Sequence, residues 1–141
     1  MSLPVGPLDH VAVAVADLDA ACDRYEQLLG GKVVHREIVP GQPVEVAFVD
    51  VPGTTLIELV SATEPDTPLA RFVERRGEGL HHICFRVENL AAALRQAETD
   101  GYELIDREGR PGAAGSRIAF LHPRAAGGVL VELKQKASQG S

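Results

Sequence analysis

Four side chains in this sequence are suited to holding a divalent metal ion, and they fall into two matching pairs. His10 stands to Glu58 as His82 stands to Glu132. Leu8-Asp9-His10-Val11-Ala12 lines up with Leu80-His81-His82-Ile83-Cys84 at an offset of 72 residues. Ala47-Phe48 matches Ala119-Phe120 at 72, and Leu56-Ile57-Glu58-Leu59 matches Leu130-Val131-Glu132-Leu133 at 74. Gly30 and Arg36-Glu37 match Gly101 and Arg107-Glu108 at 71. So steady a register is internal duplication. Two imidazoles and two carboxylates converging on one point are the donor set of a divalent metal site.

A lone strand histidine is ordinarily a core or edge residue, and a lone strand glutamate ordinarily keeps its head in water. The duplication outweighs both readings. Glu58 and Glu132 lie inside apolar runs, Leu56–Val60 and Val129–Leu133. A carboxylate left unpaired in such a setting costs on the order of 3–5 kcal/mol. One cation shared by all four groups compensates both halves. Register makes His82, and not His81, the partner of His10, because His81 matches Asp9.

The elements that must position these residues follow from side-chain alternation and turn residues. A strand over 9–16 leads to Asp17, a helix N-cap, and a helix to Leu29 that Gly30-Gly31 ends. Strands over about 32–38, 44–51 and 55–61 are separated by Pro40-Gly41 and Pro52-Gly53. Thr67 caps a short helix with Pro68 at its first position, ending at Gly77. The second copy has a strand over 81–87, N-cap Asn89, a helix to Asp100, and strands near 102–108, 116–121 and 128–135. The expected organisation is one domain, 1–141. It holds a βαβββ module over 8–62, a linker with a short helix over 63–78, a second module over 79–135, and a flexible tail over 136–141.

Successive strand residues face opposite sides. Val11, Val13 and Val15 should pack on the helix, leaving His10, Ala12 and Ala14 on a roomier face. In the repeat, Ile83, Phe85 and Val87 oppose His82, Cys84 and Arg86. Phe48 and Val46 are expected on the helix side, which puts Glu45 on the cavity face with Ala47. The repeat has Arg117 at that place. Glu45 is thus an unduplicated carboxylate beside the metal and a general-base candidate. Cys84 reads as a small buried filler, and His35 and His122 as surface polarity.

Composition narrows the partners. The chain has 141 residues, 45% apolar and 24% charged, as in a globular domain. Its formal net charge of −6 argues against nucleic acid. No apolar run approaches the ~20 residues of a membrane span. The N-terminus lacks a secretory pattern. Two cysteines, Cys22 and Cys84, make no disulfide framework, so a cytoplasmic setting is expected. Arg71, Arg75, Arg76 and Arg117 could meet an anionic small molecule.

Tandem βαβββ modules with His…Glu…His…Glu resemble the vicinal oxygen chelate superfamily. Gly79-Leu80-His81-His82, Phe120-Leu121-His122-Pro123 and Gly127-Gly128-Val129-Leu130-Val131-Glu132-Leu133 are more similar to its methylmalonyl-CoA epimerase family than to glyoxalase I. The link segment Asp66-Thr67-Pro68-Leu69-Ala70-Arg71-Phe72 is similar to the same family. The resemblance runs from about Leu8 to Gln135. It implies an α+β fold in which two βαβββ modules form a curved, eight-stranded incomplete barrel around one divalent ion. The ion would be cobalt, nickel, manganese or zinc. It implies ligation by His10, Glu58, His82 and Glu132, and catalytic carboxylates at Glu45 and, if it loosens from the metal, Glu132. Some family members have glutamine where Glu58 stands, so this site would be more negative. The implied reaction is epimerisation at C2 of an acyl-CoA thioester through a metal-stabilised enediolate, in a homodimer with no nucleic-acid or membrane partner. Alternatives on the same scaffold are a glyoxalase I-type lyase, a metal-free sequestering protein of the bleomycin-binding kind, and a two-histidine, one-glutamate iron dioxygenase, which would not need Glu58.

Overall fold

A computed structural model describes residues 3–137 of the chain. The expected tail over 136–141 lies outside the described residues from position 138 onward. Two compact units are present. One runs from His10 to His81, and the other joins the residues up to Asp9 with those from His82 on. The first unit thus takes in the linker and the start of the strand after it, while Leu8 and Asp9 go with the other unit.

The His10–His81 unit begins in β1 (Leu8–Ala14) and continues with α1 (Leu18–Leu29), β2 (Lys32–Ile38), β3 (Val44–Asp50), β4 (Leu56–Ala62) and α2 (Pro68–Arg76). Its strands lie in the order β2-β3-β4-β1, with β1 parallel to β4 and the others antiparallel. The other unit takes up β5 (Gly79–Arg86) from His82 on, with α3 (Leu90–Thr99), β6 (Arg110–Pro111), β7 (Arg117–Leu121) and β8 (Val131–Gln135), in the order β5-β8-β7-β6. Again the central pair, β5 and β8, is parallel. The α+β class with tandem βαβββ modules is as expected.

Local chemistry explains both helices that follow a central strand. The Asp17 carboxylate accepts from the Ala20 N–H at 3.1 Å, and the Asn89 amide oxygen accepts from the Ala92 N–H at 2.9 Å. Each satisfies a donor that the first helical turn leaves without an intrahelical partner. Gly30, at φ 68°, supplies the left-handed residue that stops α1. The apolar side of α1 packs Leu18, Ala21 and Cys22 on Val15, Ala47, Val49 and Leu59. The apolar side of α3 packs Leu90, Ala93, Leu94 and Ala97 on Val87, Ala119, Leu121 and Leu133. Burying each leucine or valine among them stabilises by about 1.5–3 kcal/mol.

One expected strand is largely missing. The segment 102–108 forms no regular strand, only the isolated bridge Leu104↔Leu121 and a few backbone hydrogen bonds to β7 such as Ile105 N–H to the Phe120 carbonyl at 3.0 Å, and β6 forms instead at Arg110–Pro111. The Asp106 carboxylate accepts the Phe120 N–H at 2.9 Å, a donor that a regular ladder would have used. Short acidic side chains compete with the backbone in this way. No described helix is long and apolar enough to cross a membrane.

Candidate metal and proton-transfer site

The two His–Glu pairs form, one in each unit. His10 Nε2 lies 3.5 Å from Glu58 Oε1, and both side chains are buried. His82 Nε2 lies 3.1 Å from Glu132 Oε1, with equal burial. Central parallel strands bring each pair together: Ala12 sits opposite Glu58 and Cys84 opposite Glu132. Two ligands bound at ~2.1 Å to one ion sit roughly 3.0–3.4 Å apart. The donor types, their burial and these separations fit divalent metal binding.

Each histidine also meets a phenylalanine edge-on. The His10 and Phe48 ring centroids are 5.5 Å apart at 73°, and those of His82 and Phe120 are 5.2 Å apart at 87°. Phe48 is the cross-strand partner of Glu58, and Phe120 of Glu132. The repeated unit is thus a triad of His, Glu and Phe. The phenylalanines were visible in the duplicated Ala-Phe dipeptide, but Phe48 is expected from sequence against the helix and not beside His10. Packed this way they restrict rotation of the imidazoles.

Phe48 corrects the expected facing of Glu45. Phe48 lies against His10, while Ala47 and Val49 pack under α1. Glu45 has the parity of Ala47 and so leaves β3 on the helix side. There its Oε2 accepts from Arg36 Nε at 3.0 Å, and Arg36 also holds Asp19 of α1 at 2.7 Å. These hydrogen bonds, to Glu45 first and then Asp19, push the Arg36 guanidinium pKa up. The expectation that Glu45 lines the His10 face therefore does not hold. Phe48 sets the parity: its ring packs on His10 instead of joining the apolar core under α1.

The other histidines separate cleanly. His81 packs edge-on to Phe72 of α2 at 4.8 Å, with Arg76 over the same ring. His122 caps a short turn, its Nδ1 accepting from the Arg124 N–H at 3.0 Å. The His122-Pro123 motif thus has a structural reason. His35 is different. It sits opposite Phe48, with ring centroids 6.2 Å apart, and its Nε2 is 2.6 Å from Glu37 Oε1. It shares the face of Phe48, the face that meets His10, while remaining an exposed polar side chain as expected.

A second group escaped sequence reasoning. Asp9, 1% exposed, takes Arg86 Nε on Oδ1 at 2.7 Å and Lys134 Nζ on Oδ2 at 3.0 Å. The signal was present as charged residues in apolar strands: Asp9 adjoins His10, Lys134 follows Glu132 by two positions, and Arg86 follows His82 by four. Cys84 is fully buried, as expected of a filler. Burial, then the negative charge of Glu132, pushes its thiol pKa up, so it stays a neutral thiol.

The family model for the Glyoxalase/Bleomycin resistance protein/Dioxygenase superfamily matches residues 9–120. The chain belongs to this superfamily. Human mitochondrial methylmalonyl-CoA epimerase is 39% identical over 132 residues, 93% of this chain and 74% of the human one. The crystal structure of methylmalonyl-CoA epimerase from Mycobacterium tuberculosis superposes with a TM-score of 0.92 at 39% identity, covering 99% of this chain and 93% of that one. A variant of the Streptomyces coelicolor methylmalonyl-CoA epimerase, solved with 2-nitronate-propionyl-CoA, gives 0.89 at 34%, covering 99% of each chain.

Proposed function

We propose that the chain epimerises methylmalonyl-CoA at C2, with one divalent ion held jointly by His10, Glu58, His82 and Glu132. The observation that carries the ion is the pair of buried His–Glu contacts at 3.5 and 3.1 Å. Support for the acyl-CoA substrate comes from the relatives named above. A divalent ion, when bound, supplies Lewis-acid stabilisation of the charge that develops on the thioester oxygen. The donor set suits cobalt, nickel, manganese or zinc without choosing among them.

The chain's own residues do the rest. Phe48 and Phe120 fix the imidazole planes and exclude water from the ligand atoms. Removal of the C2 proton leaves a carbanion delocalised as an enediolate onto the thioester. Inversion then requires a proton taken on one side of C2 and returned on the other. Glu132 is assigned one of these transfers, and as a carboxylate it would be one of the four groups that hold the ion. The other belongs to a group on the His10 face. Glu45 departs from the helix side, so its part as base is judged by substitution. A cytoplasmic homodimer completes this reading.

The test uses each epimer separately in deuterated solvent, with metal content measured on the same protein. Inversion with deuterium entering C2, and about one divalent ion per chain, is expected. The hemithioacetal of methylglyoxal and glutathione should turn over poorly. Fast turnover of that hemithioacetal with no C2 exchange would make the chain a glyoxalase I-type lyase instead.

A further inference from the structure

The reaction needs a base on the His10 face, and Glu45 is not on it. Along that face of the His10–His81 unit the strands present a row of groups. His10 lies on β1, Glu58 on β4, Phe48 on β3, and His35 with Glu37 on the edge strand β2. Direct cross-strand partners point to the same side of a sheet. Phe48 pairs with Glu58 on one side and His35 on the other, and Glu37 pairs with Val46. The ring contacts, 5.5 Å from Phe48 to His10 and 6.2 Å from Phe48 to His35, give the same row independently.

We infer that His35, oriented by Glu37, is the proton acceptor on the His10 face. Its Nε2–H donates to Glu37 Oε1 at 2.6 Å. That hydrogen bond leaves Nδ1 as the lone-pair nitrogen of the neutral ring. Nδ1 takes the proton from C2, and the C–H electron pair passes into the enediolate. The resulting imidazolium is stabilised by the Glu37 carboxylate, as an orienting carboxylate does for a catalytic histidine. Glu132, in its protonated carboxyl form, then gives its proton to C2 from the opposite side, closing the inverted C–H bond and leaving the carboxylate. Solvent exchange at both groups resets the enzyme. The side chain of His35 is 42% exposed, so a substrate arriving from solvent can reach it.

The dyad belongs to one repeat only. The residue matching His35 is Asp106, and its carboxylate is occupied by the Phe120 N–H and by Arg110 Nε at 3.3 Å. A base on one side of C2 without a copy on the other suits two chemically different proton carriers.

This inference rests on the reading above, and the test separates the two. Cobalt(II)-loaded wild type, H35Q and E37Q are given each epimer of methylmalonyl-CoA in deuterated solvent, and cobalt(II) affinity is measured for each. H35Q should bind cobalt(II) as wild type does, while inversion falls by ~10²–10⁴. One epimer should still take up deuterium without inverting, because only the opposite carrier remains. E37Q should lose inversion by about 10-fold, with cobalt(II) affinity unchanged. Wild-type inversion by H35Q, or equal loss of exchange from both epimers, overturns the role of His35 while leaving the epimerase reading intact. Wild-type protein that exchanges no C2 proton overturns both.

Discussion

The two repeats agree where metal chemistry needs them to and part company one strand further out. Each has a parallel central strand pair, a His–Glu contact, an edge-on phenylalanine and a side-chain helix cap. Beyond these the first repeat builds a seven-residue edge strand, β2, while the second reduces its counterpart to Arg110–Pro111. The first places His35 and Glu37 beside its phenylalanine, and the second ties Asp106 into backbone bonding there. The buried cluster of Asp9, Arg86 and Lys134 joins Asp9, from the start of the first repeat, to two strands of the second. The contrast teaches which parts duplication must keep. An ion bound symmetrically needs two like halves, whereas a proton moved from one side of a carbon to the other needs two unlike ones.

The sharpest way to break the likeness of the halves is at the histidines. H10A and H82A should each lose the bound ion and lower C2 exchange by at least about 10³, since Lewis-acid stabilisation is worth several kcal/mol. H81A should keep both, because His81 lies against Phe72. Metal analysis beside the exchange assay checks this. Full metal retention in either H10A or H82A would mean that the halves do not share one ion.

The phenylalanines probe the same comparison at the level of packing. Phe48 is 4% exposed, and F48A should cost about 3–5 kcal/mol in urea unfolding. Phe120 is less buried, with Arg110 stacked 5.5 Å from its ring centroid, so F120A should cost roughly half as much. Equal losses would show that burial does not distinguish the two triads.

Much of this was legible in the sequence because it depends on local rules. Caps at Asp17 and Asn89, the valine face of β1 and the contact of His10 with Glu58 all follow from alternation and register. What was lost depended on neighbours in space. The strand expected over 102–108 failed because the Asp106 carboxylate displaces a ladder hydrogen bond, which no periodicity reveals. The Asp9 cluster joins residues 77 and 125 positions apart. Glu45 was misplaced by one step of parity, and a one-residue error moves every side chain of a strand to the other face.

That one step makes the smallest predicted effect informative. Glu45 and its counterpart Arg117 differ in charge, yet both serve local structure: Glu45 holds Arg36, and Arg117 donates to the Gly109 carbonyl. In E45Q the Arg36 guanidinium keeps Asp19 at 2.7 Å, and the glutamine oxygen can still accept from Arg36. A half-exposed ion pair contributes about 0–1 kcal/mol, so E45Q should unfold within that margin of wild type. C2 exchange should stay within roughly threefold, against the ~10²–10⁴ expected for a lost base. The two measurements together are decisive. A hundredfold loss of exchange in a stable, metal-replete E45Q would return the base to β3 and make His35 a bystander. Exchange near wild type, beside a disabled H35Q, would locate the asymmetry of the two repeats in the edge strand β2.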